Sequence, residues 1–224
     1  KATNKMIIDY MREALVKCGA PPDLVIPIEE PSLLKTNELM AQCDRVLATG
    51  GGPMVSAAYS SGTPALGVGV GNAVVTVDNT ANLDEAADKI VISKTLDLAA
   101  SCSADNSLLV FEDIYGQLLP KLQERGGYML NEEEKAKLQS VIWVNGALNA
   151  NIVAQPIETI AGIAGIDVPE GSKFFIVGEQ GVGRDFPFSG EKLCVTLTLY
   201  KVKDLQGAID MTNSIQAYQG QGHS

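Results

Sequence analysis

The chain has 224 residues, of which 46% are hydrophobic and 20% charged, and its formal net charge is -10. That length and apolar content suffice for one large or two small domains with real cores. The acidic balance leaves no basic stripe to neutralise phosphates, which argues against a nucleic-acid partner and against docking on anionic membranes.

No apolar run approaches the roughly 18 residues needed to span a bilayer, and the first residues do not read as a signal peptide. A cytoplasmic location is therefore expected. The chain opens on Lys1 inside a helical pattern and stops at Ser224 after "GQGHS", the pattern of a fragment or a processed chain. The cysteines, Cys18, Cys43, Cys102 and Cys194, lie far apart with no C-x-x-C, and His223 is the only histidine. Neither a metal site nor a disulfide framework is expected from that spacing. Any special thiol acts alone.

Taken in chain order, "NKMIIDYMREALVKCG" reads as a helix, with Met6, Ile7, Tyr10, Met11, Leu15 and Val16 at helical spacing and Gly19-Ala20-Pro21-Pro22 ending it. "DLVIPI" reads as a short strand, and "PSLLKTNELMAQC" as a helix with Ser32 as N-cap. "DRVLATGGGP" is a buried strand running into a glycine turn, "MVSAAYSSG" a short helix and "PALGVGVGN" a strand. This alternation predicts a parallel sheet with crossover helices. A boundary is expected near Gly69–Asn72. Beyond it, "AVVTVD", "SLLVFE", "KFFIVGE" and "LCVTLTLYKVK" read as strands. "NLDEAADKIVISKTL", a stretch capped by Asp113 and running to Arg125, "NEEEKAKLQSVI" and "DLQGAIDMTNSIQAY" read as helices. Both parts are α/β.

Each motif carries two readings. "ATGGGP" is either an ordinary tight turn or a place where backbone amides and a helix N-terminus meet a phosphate. "GVGVGN" fails as a dinucleotide fingerprint, because its spacing is G-x-G-x-G and it leads into another strand. Cys102, in a loop with Ser101, Ser103 and Ala104, is either a small apolar filler or a nucleophile with room for a ligand. Lys94 reads as a solvated helix charge, Glu191 as a charged strand flank, and Arg184 as a loop charge or an anion contact.

Together, "LATGGGPMVSAAYSSGTPALGVGVGN", "SKT", Cys102 with "SADNS", "VNGALNANIVAQP", "EKLCVTLTLYKVKD" and "GQGHS" resemble the aldehyde dehydrogenase superfamily. The resemblance is closer to its CoA-acylating branch, which includes the aldehyde dehydrogenase half of bifunctional aldehyde-alcohol dehydrogenases. It implies the C-terminal part of a Rossmann-like NAD(P)-binding domain over residues 1–70, then an α/β catalytic domain over residues 71–224 that lacks its last segment. Cys102 becomes the nucleophile, and His223 matches the histidine of a "GxGH[ST]" segment near the active site. Thr49, Gly50, Gly51, Gly69, Glu191 and Leu193 fall at the cofactor, with "TGGGP" near its pyrophosphate and Glu191 at the nicotinamide ribose. The implied cofactor is NAD or NADP, the implied partners are a small aldehyde and coenzyme A, and the full-length protein is expected to form a homo-oligomer.

Departures from the family pattern bear on the subclass. The usual acylating segment is "GxxC" followed by "SEQ", whereas "LAAS" precedes and "SADN" follows Cys102; Gly52-Pro53 stands where Pro-Gly is usual. Hydrolytic members carry a glutamate before an "LGGK"-like segment to activate water. The corresponding stretch here, "GVGVGN", has Val68 at or next to that place and no carboxylate. A thioacyl-enzyme would then wait for the CoA thiol. The expected reaction is CoA-acylating oxidation of a small aldehyde, with acetaldehyde as the default. The changed loop and Arg184 leave room for an anionic aldehyde such as sulfoacetaldehyde or succinate semialdehyde. A hydrolytic dehydrogenase and a truncated, non-catalytic piece are the alternatives.

Overall fold

The computed structural model describes residues 2–220, and the chain divides into two units, Lys1–Val68 and Gly69–Ser224. In the first, α1 (Ala2–Lys17) buries none of its residues and ends where Gly19 turns to φ +75°. The expected strand over residues 23–28 does not form. A single 3-10 turn, Pro22–Leu24, stands in its place, because Pro21, Pro22 and Pro27 each remove a backbone donor that a ladder would need. Next comes α2 (Leu33–Gln42), capped as expected by Ser32, whose Oγ accepts the Lys35 amide at 3.2 Å.

A β-α-β unit completes this part: β1 (Val46–Thr49), α3 (Gly52–Tyr59) and β2 (Ala65–Val68), with β1 and β2 paired in parallel. Gly67 is required by close packing rather than by φ. A Cβ there would stand 2.6 Å from Val55 Cγ1, so helix and strand touch only because the side chain is missing.

The second unit is built on a five-stranded, wholly parallel sheet. Its elements are β3 (Val74–Val77), α4 (Leu83–Thr95), β4 (Ser107–Phe111), α5 (Glu112–Glu124), β5 (Gly127–Met129) and α6 (Glu132–Ile142). They continue with β6 (Trp143–Val144), β7 (Ala147–Leu148), α7 (Ile157–Ala164), β8 (Phe174–Gly178), β9 (Thr196–Val202) and α8 (Leu205–Tyr218). The sheet order is β3-β4-β9-β8-β5, and β6 and β7 form a separate antiparallel hairpin.

Both faces of the sheet are covered, as a parallel sheet requires. Leu108 and Val110 of β4 pack on one side with Ala87 and Ile90 of α4 and Ile114, Leu118 and Leu122 of α5. Leu109 points the other way, into a smaller cluster with Tyr200, Val202 and, from α8, Ala208 and Ile215. Asp113 does not cap α5. The helix follows directly on β4 with Phe111 as N-cap, so Asp113 falls inside its first turn, where its charge suits the helix dipole. Among the described residues no helix is long and apolar enough to cross a membrane.

Candidate active site

The site in the second unit is assembled from three segments that each precede a strand. Residues 69–72 lead into β3, the Cys102 loop leads into β4, and residues 188–194 lead towards β9. Cys102 is half-buried in a turn closed by the Ala104 amide on the Ser101 carbonyl at 3.1 Å. The Ser101 and Ser103 hydroxyls bridge across it at 2.8 Å. Just upstream, Asp97, Leu98 and Ala99 all hold left-handed φ values of 47°, 55° and 56°. Such a run of non-glycine residues is backbone strain, and it delivers the chain from α4 into the cysteine turn.

Downstream the turn is clamped. Ser93 Oγ, near the end of α4, accepts the Asp105 amide at 3.0 Å, and Lys94 Nζ donates to the Asp105 carbonyl at 2.9 Å. Lys94 is therefore no solvated helix charge: it is 1% exposed, its position on α4 aiming it under the loop. Burial pushes its ammonium down to about 8, partly offset by Cys194, Asp105 and Glu191. Burial likewise pushes the Asp105 carboxyl up, offset by its hydrogen bond to Ser93 and by the charge of Lys94. That carboxyl, the nearest acid to Cys102 in sequence, lines a groove along α4 with Thr76, Lys89 and Ser93.

Two buried asparagines join the segments. Asn106 Nδ2 donates to the Gly190 carbonyl at 2.8 Å and to Asn72 Oδ1. Asn72, at φ 48°, in turn donates to the carbonyls of Ser189 at 3.0 Å and Gln219 at 2.6 Å. Glu191 lies in the loop five residues before β9 rather than opening that strand. Its Oε1 accepts the Gly71 amide at 2.8 Å, and its own amide donates to Gln219 Oε1 at 3.2 Å. The partly buried carboxylate is thereby fixed by one oxygen. Next to it Lys192 is fully buried, donating to the carbonyls of Phe188 at 2.7 Å and Gly190 at 3.0 Å. Burial, and then the charge of Lys94, push its ammonium well down.

The geometry thus ties the Cys102 loop to the Glu191 segment through Asn106 and Gly190. Gly69 enters the same unit on the stretch leading to Asn72, and Leu193 sits at φ 46°, its carbonyl accepting the Ala154 amide at 3.0 Å. Thr49, Gly50 and Gly51 lie in the first unit, at the end of β1 and ahead of α3; the Gly50 amide donates to the Val68 carbonyl at 3.0 Å. Arg184 is exposed and lines a cavity of about 840 Å³ with Gln139, Ser140, Trp143, Tyr218 and Gln219, and among the described residues no Asp or Glu lines it. His223 lies outside the described residues. Sequence reading overlooked Asn72, Asn106 and Lys192. Their signal is faint: a polar residue just ahead of an apolar strand.

No family model matches the chain. The sulfoacetaldehyde dehydrogenase of an Acholeplasma species is 44% identical over 230 residues, covering 100% of this chain and 47% of the relative. The bifunctional aldehyde-alcohol dehydrogenase AdhE of Escherichia coli K12 is 42% identical, covering 100% of this chain and 25% of that protein. An acetylating aldehyde dehydrogenase from Geobacillus thermoglucosidasius superposes with a TM-score of 0.92 at 43% identity, over 95% of this chain and 48% of that one. The fold is therefore that of an aldehyde dehydrogenase, with its α/β plan and parallel sheet. Within that class the chain is homologous to one part of the acylating enzymes, spanning about half the length of single-function relatives.

Proposed function

We propose that the protein to which this chain belongs is an acylating aldehyde dehydrogenase that converts a small aldehyde to its CoA thioester with NAD(P). The observation that supports this most is the coupling just described, a half-buried cysteine turn tied through Asn106 and Gly190 to the segment bearing Glu191. In this reading Cys102 is the nucleophile and adds to the aldehyde carbonyl to give a thiohemiacetal. Bound NAD(P) supplies the hydride acceptor. Glu191 orients it through the ribose, with Gly69 and Leu193 beside it and Thr49, Gly50 and Gly51 serving its phosphates. Cys102 is then a good leaving group when the CoA thiol takes the acyl group. His223 is assigned to assist that thiol.

Residues 67–72 contain no carboxylate, and the Asp105 carboxyl is engaged by Ser93. Both features favour a thioester that outlasts attack by water. The same reading carries a domain of residues 1–70 that binds cofactor and one of residues 71–224 that performs the chemistry, in a cytoplasmic homo-oligomer. Acetaldehyde is the default substrate. An anionic aldehyde such as sulfoacetaldehyde is the second reading, favoured by the Acholeplasma relative and by Arg184 in a cavity wall whose described residues include no Asp or Glu.

The test is NADH formation by the full-length protein with a panel of aldehydes, with and without CoA. Turnover is expected only with CoA and is expected to vanish in Cys102→Ala. Equal rates without CoA would make the enzyme hydrolytic, and turnover by Cys102→Ala would end the proposal.

A further inference from the structure

Two lysines of the second unit are buried completely or nearly so, Lys192 at 0% and Lys94 at 1% exposure. Among the described residues neither forms an ion pair; every salt bridge there involves other cations. Their ammonium groups bond to backbone carbonyls, Lys94 to Asp105 and Lys192 to Phe188 and Gly190. A buried ammonium without a direct ion pair is costly even with carboxylates nearby, and packing alone would be served as well by an apolar side chain of similar volume. Rules of packing are broken in this way chiefly where function requires it.

What the carbonyls have in common is their location. Asp105 closes the segment that carries Cys102. Phe188 and Gly190 immediately precede Glu191. Gly190 O also accepts Asn106 Nδ2 at 2.8 Å, a second donor that holds the Cys102 side of this carbonyl whether or not Lys192 bonds to it. The hydrogen bonds of the two lysines go to different segments, those of Lys94 to the end of the Cys102 loop and those of Lys192 to the residues before Glu191.

We propose that Lys94 and Lys192 are separate positioning residues of the acylating reaction, Lys94 setting the Cys102 turn and Lys192 setting the Glu191 carboxylate. The inference rests on the functional reading above. It makes a divided prediction that a merely structural pair does not make. In the full-length protein Lys94→Met keeps the apolar stem but removes the donor to Asp105. It is expected to lower kcat and the rate of iodoacetamide labelling at Cys102, read by mass spectrometry of that peptide, by about 10- to 100-fold. Its KM for NAD(P) should stay within about twofold of wild type. Lys192→Met is expected to do the reverse, raising KM for NAD(P) about tenfold while Cys102 labelling stays within about twofold.

Ser93→Ala removes the other half of the Asp105 clamp at a less buried position and is expected to slow Cys102 labelling as Lys94→Met does. It serves where Lys94→Met does not fold. Leu138→Ala, in the distant core of α6, should lower the melting temperature without moving either readout. Equal effects of the two lysine variants on both readouts, or a fall in melting temperature alone, would overturn the assignment. Labelling reports on the turn without any assumption about the reaction. Loss of the functional reading, seen as turnover in Cys102→Ala, is therefore distinct from loss of this one.

Discussion

At the scale of single residues, the site is organised by groups whose burial runs against their chemistry. Lys94 is the clearest. Its stem sits on the same face of α4 as buried Ala87 and Ile90, so helical spacing aims it inward while its charge alone would give it to solvent. Cys102 and Glu191 stand out through the family resemblance, whereas Lys94 reads by its charge rather than by its register with Ala87 and Ile90. Asn72 and Asn106 depend on contacts between distant segments that no local pattern announces. The burial has a measurable consequence. The folded ammonium is pushed down to about 8 from its ordinary 10.5, so between those values the unfolded chain holds a proton that the folded protein has released. Stability must then rise with pH across that window, because the unfolded state binds more protons. Lys192, Cys194, Asp105 and Glu191 are coupled electrostatically to the group, so a difference is the clean measure. Urea unfolding at pH 7, 8, 9 and 10 should show wild type gaining on Lys94→Met by on the order of 3 kcal/mol in all. A constant difference would mean that Lys94 is not desolvated.

Elements are stabilised chiefly by their ends and by one apolar face. The capping of α6 is complete: Asn131 Oδ1 accepts the Glu134 amide at 2.9 Å, and Glu134 Oε2 accepts the Asn131 amide at 3.1 Å. Asn131→Ala removes the side-chain acceptor of this box, leaving only the bond from the residue 131 amide to Glu134, and is expected to lower stability by about 1 kcal/mol, read as a shift in urea midpoint at unchanged m-value. Where such signals are local, the sequence is easily read. Ser32 caps α2 and Asn82 caps α4, and the apolar runs of β4, β8 and β9 are buried strands as their composition dictates. The Asn145-Gly146 pair, with φ of 52° and 77°, is the standard signal for a tight hairpin, yet β6 and β7 are too short to stand out as strands. α7 escaped for a different reason. "IETIAGIA" buries Ile157, Ile160, Ala161 and Ala164 on one face, but it is only 8 residues long. Its exposed face includes Gly162 and Ile163, so little polar contrast marks it as amphipathic. "DLVIPI" misled because apolar composition outweighed the proline inside it.

On the scale of the whole molecule the two units differ in how much they bury. The second encloses a continuous core of 28 buried apolar residues with a covered sheet on both faces. In the first, the cluster is Met40, Val46, Ala48 and Ala58. Its strands alternate, so that Leu47 is 77% and Leu66 72% exposed. α1 also leaves Met6, Ile7, Tyr10, Met11 and Val16 exposed. Protection of an amide depends on the free energy of the opening that exposes it, and that free energy follows the apolar area buried around it. Hydrogen exchange of this chain should therefore separate the units. Amides of β4, β8 and β9 are expected to exchange only through global unfolding of the second unit, and those of α1 and β1 at least ~100-fold faster through local opening. If β1 amides were protected as strongly as those of β4, the sparse first core would be receiving stabilisation from outside its own buried cluster. The accounting of strength by burial within each unit would then fail.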